Sequence, residues 1–191
     1  MKVNYPFPNN KQERKQTLKT YGMLFESVLN ETNEYYRNKD IAYIYKKPTP
    51  IQVVKVDYPD RTKAKITEAY YRTPSTTDYN GIYKGKYIDY EAKETIETSF
   101  SFTHIFPHQI DHLLNVKRHG AISFVIIYFK KFDDVIMIDI DDFYKLYDAG
   151  VNRDARKSIT YATSKEIGYS VPKGFTPLLD YLKVIDEHFI K

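Results

Sequence analysis

Asp78, Glu91 and Lys93 are the residues of this chain whose types and spacing could do chemistry together. All three fall in one stretch, residues 76–94, that reads as two strands joined at Lys84-Gly85. A two-residue loop ending in glycine between apolar-containing runs is a hairpin signal. Residues equidistant from that loop oppose one another, which sets Asp78 across from Glu91. Side chains alternate along a strand, so Ile88, Tyr90 and Ala92 share one face while Asp89, Glu91 and Lys93 share the other. Directly opposed carboxylates repel unless a cation lies between them. Hard oxygen donors without a thiolate suit Mg²⁺ or Mn²⁺. A metal there, with a lysine beside it, is a site for hydrolysing a phosphodiester: the ion polarises the phosphate and activates water, and the lysine steadies the developing negative charge. The same residue types also suit a solvated hairpin face with a surface ion pair, and spacing alone does not separate the two readings.

Resemblance separates them. Asp78, Glu91 and Lys93 resemble the PD-(D/E)xK nuclease motif. More narrowly, Ser75-Thr76-Thr77-Asp78-Tyr79-Asn80-Gly81 and Tyr87-Ile88-Asp89-Tyr90-Glu91-Ala92-Lys93-Glu94-Thr95 resemble the RecU family of bacterial Holliday-junction resolvases. So do Leu29-Asn30-Glu31-Thr32-Asn33 and Lys46-Lys47-Pro48-Thr49-Pro50-Ile51-Gln52. The resemblance runs from about Gly22 to the C-terminus. It implies an α/β fold, a restriction-endonuclease-like mixed sheet flanked by helices, with a protruding stalk that enters the centre of a four-way junction. It implies Asp78 and Glu91 as metal ligands, Gln109 (through its amide oxygen) and Thr76 completing the shell, and Lys93 orienting water or stabilising the transition state. It also implies a Mg²⁺-dependent endonuclease of recombination and repair, with recombinase and branch-migration proteins as partners. One departure is Tyr21, where family members carry a basic residue before the Gly22-Met23 pair; that residue's phosphate contact is lost or falls to Lys15 or Lys19.

The elements that must position these residues can be read around them. The 191 residues suit one domain with an appendage, and 42% hydrophobic content is enough for a core. There is no cysteine, which excludes disulfides and thiolate metal sites and fits a reducing cytoplasm. No apolar run approaches a membrane span, and the N-terminus lacks an apolar signal region. Net charge is only +4, but basic residues cluster. Residues 1–20 carry Lys2, Lys11, Arg14, Lys15 and Lys19 against Glu13, and read as a flexible basic arm. The nuclease domain then occupies 21–191. Lys46, Lys47, Lys55, Arg61, Lys63, Lys65 and Arg72 lie on or beside the stalk, at about 48–75, and are the expected DNA-binding residues.

From Gly22 a helical stripe of Leu24, Phe25, Val28, Leu29, Tyr35 and Tyr36 begins, with Glu26 beside it as a possible accessory to the metal. Residues 41–45 read as a strand, Pro48 and Pro50 turn the chain, 51–58 alternate as a strand, and 64–71 return as strand or partly helix. Ser99 to Thr103 is an edge strand or irregular. Pro107 opens a helix with Ile110, Leu113 and Leu114 inward and a stop at Gly120. Residues 121–129 are a central strand covered on both faces, followed by a strand at 135–140. Asp141 is expected to cap a helix ending near Gly150, and Thr176-Pro177 to open a last helix with Leu178, Leu179, Leu182 and Ile185 inward. His104, His108 and His112 fall four apart, but the run lacks the glutamate of a zinc-protease helix, so they read as surface or DNA-backbone contacts.

Because one chain holds one Asp-Glu-Lys set and a junction needs two symmetric nicks, the working unit is expected to be a homodimer on four-way branched DNA. Two alternatives stand beside that reading: another PD-(D/E)xK nuclease acting on duplex DNA, and a non-catalytic branched-DNA-binding recombination protein.

Overall fold

The chain doubles back at Lys84-Gly85, where both residues take positive φ (47° and 74°), the backbone that two-residue hairpin turns demand. The strands on either side are β4 (Tyr79–Tyr83) and β5 (Lys86–Thr95), paired with Tyr79 on Tyr90 and Gly81 on Ile88. The expected register therefore holds. The computed structural model describes residues 24–57, 59, 64–71 and 76–190. The basic arm, Tyr21, Gly22, Arg61, Lys63 and Arg72 lie outside the described residues.

Six strands form the main sheet. In addition to β4 and β5 they are β1 (Tyr43–Lys46), β7 (Ile122–Phe129), β8 (Asp134–Asp139) and β10 (Tyr169–Ser170), in the order β1-β4-β5-β7-β8-β10. β5 and β7 run parallel, joined through α2 (Pro107–Arg118); the other neighbours are antiparallel. Every residue of β7 is buried, as expected of a strand covered on both faces. On one face, α1 (Phe25–Asn38) and α5 (Tyr181–His188) pack Phe25, Leu29, Leu182 and Ile185 against Ile88, Tyr90 and Phe124. On the other, α2 and α3 (Ile140–Asn152) pack Ile110, Leu113 and Phe143 against Val125 and Ile127. This is the mixed α/β sheet flanked by helices that the resemblance implied.

Gly81 lies where β4 meets β1. A Cβ there would meet the Tyr43 carbonyl oxygen at 2.1 Å, so only glycine lets the two backbones approach.

β2 (Ile51–Asp57) and β3 (Lys65–Tyr71) pair with each other alone and make a separate two-stranded sheet. Its side chains are exposed almost throughout. The helical option for 64–71 is thus closed: Ile66, Thr67, Tyr70 and Tyr71 favour strand, and β2 supplies the ladder partner.

Several local expectations change. Leu24 is exposed, because the helix starts one residue later and leaves it at the cap. Asp139, not Asp141, caps α3, accepting from the Asp141 N–H at 2.9 Å. The last helix begins at Tyr181 behind Asp180 as its cap, four residues beyond Pro177. Leu178, Leu179, Leu182 and Ile185 are nonetheless buried. Ser99 to Ser101 is a short strand, β6, paired with β9 (Ser158–Thr160), which leads into α4 (Tyr161–Ile167). No helix among the described residues is long and apolar enough to cross a membrane.

Candidate active site

The polar face of β5 is not a solvated face. Helix α2 lies over it, and Asp89 and Glu91 are both 0% exposed. The alternation that sends Tyr90 into one core layer sends these two carboxylates toward the other.

Glu91 has three neighbours of consequence. Its Oε1 accepts from the Lys93 ammonium at 2.5 Å and from the Gln109 amide nitrogen at 2.7 Å. Asp78, half-buried at the head of β4, accepts the Ala92 N–H on Oδ2 at 3.0 Å. Burial, and then the negative charge of Asp78, push the Glu91 carboxyl up to about 7, against the pull of Lys93. Its Oε2 is buried without a hydrogen-bond partner. A cavity of about 260 Å³ opens beside the pair, bounded by Phe25, Glu26, Asp78, Tyr79, Lys93 and Glu94. Asp78, Glu91 and Lys93 are thus brought together, and Glu26 stands on the same cavity, where its carboxylate pairs with Lys46 at 2.6 Å.

The donor set fits a small hard cation. Two carboxylates lie close enough to repel each other, and one buried carboxylate oxygen has no proton donor of its own. Among the described residues no group of three or more His, Asp or Glu side chains encloses such an ion. Mg²⁺ is commonly held by one or two carboxylates and completes its shell with water and substrate phosphate.

The expected shell-completing residues are arranged differently. The Gln109 amide oxygen accepts from the Phe106 N–H at 3.0 Å, closing the first turn of α2, so its nitrogen faces Glu91 instead. This is the reach-back half of a capping box, in which the side chain three residues into the helix satisfies the backbone N–H of the N-cap residue. The Thr76 hydroxyl meets Lys47 at 3.1 Å, in a second cluster next door.

Asp89 is the centre of that cluster, and spacing did not single it out. Its Oδ2 is met by Lys47 at 2.8 Å, His112 at 2.9 Å and the Tyr87 hydroxyl at 3.1 Å, and its Oδ1 by the Thr77 hydroxyl. Burial alone would raise this carboxyl, but hydrogen bonds from His112, Lys47 and Thr77 hold it below the ordinary range. Lys47, expected as a DNA contact, is here an interior ion-pair partner, 13% exposed. His112 likewise faces inward. A signal existed for Asp89: it shares Glu91's face at a spacing of two. Lys55 and Lys65 remain exposed on the hairpin of β2 and β3, as DNA contacts should be.

Two carboxylates one strand repeat apart are thus pushed in opposite directions, a pattern of acid–base sites. The raised one has a cost. Between its ordinary value of 4.5 and about 7, folded Glu91 keeps a proton that the unfolded chain has released. Stability from this group therefore falls as pH rises through that window, and the whole deficit is present above it. Glu91→Gln should be more stable than the parent in chelator at about pH 8, by up to about 3 kcal/mol, and no more stable near pH 4. Urea unfolding at both pH values checks this; equal stabilities at pH 8 would contradict it.

The family model described as RecU, Recombination protein U, matches residues 20–187. The chain belongs to the RecU family. A protein of Listeria welshimeri named Holliday junction resolvase RecU is 47% identical over 181 residues, covering 94% of this chain and 90% of that one. One of Bacillus thuringiensis with the same name is 47% identical over 180 residues, with the same coverage. Among solved structures, Hjc of Archaeoglobus fulgidus, described as a Holliday junction resolvase, superposes with a TM-score of 0.40 at 12% identity, over 72% of this chain and 93% of that one.

Proposed function

We propose that this chain is a Holliday-junction-resolving endonuclease, dependent on a divalent cation and working as a two-fold dimer. The observation that carries the reading is the buried Glu91, its Oε2 unpartnered, set against Asp78 and Lys93, which both line one cavity. Membership of RecU directs that hydrolytic centre to branched DNA.

Asp78 and Glu91 are the side chains that would hold the cation, with Glu26 close enough to assist. Mg²⁺, or Mn²⁺, would supply polarisation of the scissile phosphate and a lowered pKa for attacking water. Lys93, now on Glu91, is placed to turn toward a phosphoryl oxygen as charge builds there. Gln109 anchors the Glu91 carboxylate through Oε1 and leaves Oε2 for the cation. Exposed Lys55 and Lys65 give β2 and β3 basic side chains for phosphates. The lack of cysteine fits work in a reducing cytoplasm beside recombinase and branch-migration proteins.

A dimer follows from counting bonds: resolution breaks two phosphodiesters symmetrically, and one chain carries one Asp-Glu-Lys set. A mixed dimer of parent and Asp78→Asn chains should therefore nick one strand and stall, leaving a nicked junction. Full resolution by the mixed dimer, or a single protomer sedimenting on each junction, would contradict the proposal.

A further inference from the structure

Lys47, Asp89, Thr77 and His112 form a buried polar cluster next to the candidate centre but outside it. Its partners come from the segments that carry Asp78, Glu91 and Gln109 and from the end of β1. Lys47 is the first residue after β1 and immediately precedes Pro48, where the chain leaves for the hairpin of β2 and β3. Its backbone N–H also donates to the Asp78 carbonyl at 2.8 Å. Thr77 immediately precedes Asp78. His112 is on α2, three residues from the Gln109 that holds Glu91. Asp89 is on β5, two residues before Glu91.

The Lys47 ammonium has four neighbours: Asp89 at 2.8 Å, Thr76 at 3.1 Å, His112 at 3.3 Å and the Thr77 hydroxyl. It occupies the middle of a polar cage much as a bound cation would. Taking both charges of such a pair out of water is costly, and an apolar pair of similar volume is often at least as stable. Stability alone is thus a weak reason for the pair, while location is a strong one. We infer that the Lys47–Asp89 pair is a brace that fixes the root of the stalk against the nuclease centre, making both of them positioning residues for cleavage. A junction seated on the stalk would then present its strands to Asp78 and Glu91 at a set distance and angle. Loss of that geometry by even about an ångström costs up to about a hundredfold in rate.

The test uses the full chain on a four-way junction of fixed sequence, and rests on the junction-cleaving reading for its main readout. The paired substitution Lys47→Met with Asp89→Leu removes both charges without leaving either alone. It should keep the parent's thermal midpoint and junction affinity, cut about tenfold to a hundredfold more slowly under single-turnover conditions, and spread its nicks over more positions. Thr77→Val keeps the volume but removes the hydroxyl between the two charges; it should show a smaller loss in the same direction, restored by Thr77→Ser. Cleavage at the parent's rate and positions by the folded paired variant would overturn the brace. So would a loss of rate that only follows a loss of thermal stability. If the paired variant does not fold, an unaltered rate and cut pattern in Thr77→Val overturns it. If the parent cuts no branched DNA, the functional reading fails separately, and amide exchange decides the brace: protection of the Lys47 N–H should fall in Thr77→Val, and unchanged protection counts against it.

Discussion

Glu91→Gln and Lys93→Ala are expected to bind a four-way junction as tightly as the parent in metal-free buffer and to cut it at least about a hundredfold more slowly. The reasoning is a separation of surfaces. Glu91 is 0% exposed and Lys93 is held against it, so neither adds to the phosphate-contacting exterior. What they offer is one oxygen for a cation and one positive charge for a phosphoryl oxygen, both used only as the bond breaks. Removing an interaction made only in the transition state lowers the rate and leaves affinity alone. Glu91→Gln keeps the shape and the hydrogen bond to Gln109, so its defect cannot be laid to misfolding; by the linkage argument it should even be the more stable chain above pH 7. Gel-shift affinity and single-turnover cleavage on one junction measure both halves. Near-parental cleavage by either chain would refute the site.

Replacing residues 50–74 by a short glycine-containing turn should leave a folded protein that no longer prefers four-way junctions to duplex. The fold is indifferent to the hairpin because β1 and β4 are already antiparallel neighbours, with Lys46 opposite Tyr79 and the Lys47 N–H bonded to the Asp78 carbonyl. A tight turn can close what the hairpin now extends. The hairpin contributes little burial of its own, since β2 and β3 are exposed almost throughout. Its lysines should instead give junction binding a steep salt dependence through counterion release, and that slope should flatten in the shortened chain. Circular dichroism, with competition between branched and linear DNA across a salt series, checks it. Undiminished discrimination would make the hairpin an ornament.

The hairpin register was legible because Lys84-Gly85 ends in the glycine that a two-residue turn uses, a weaker signal than Asn-Gly, and pairing from a turn is arithmetic. β7 was legible because seven of the eight residues from Ile122 to Phe129 are apolar, which admits few other readings. What escaped was tertiary. That α2 lies over Asp89 and Glu91 could not be seen from strand alternation, which says only that they share a face. For that reason a solvated face stayed open, and Lys47 was assigned to DNA although Asp89 holds it inside. The Gln109 oxygen is engaged for a local reason: three residues into α2, it accepts the backbone N–H of the N-cap residue Phe106. The small elements β9, α4 and β10 escaped because three-residue and two-residue strands carry too few side chains to show a period.

The most direct measurement is the strand-resolved product pattern of the parent chain on a four-way junction and on a linear duplex of the same sequence, with Mg²⁺ and with chelator. Paired, symmetric nicks in two strands of like polarity, on the junction alone and only with the cation, are the expected result. Cutting that persists in chelator, or that falls equally on the linear duplex, would contradict the account.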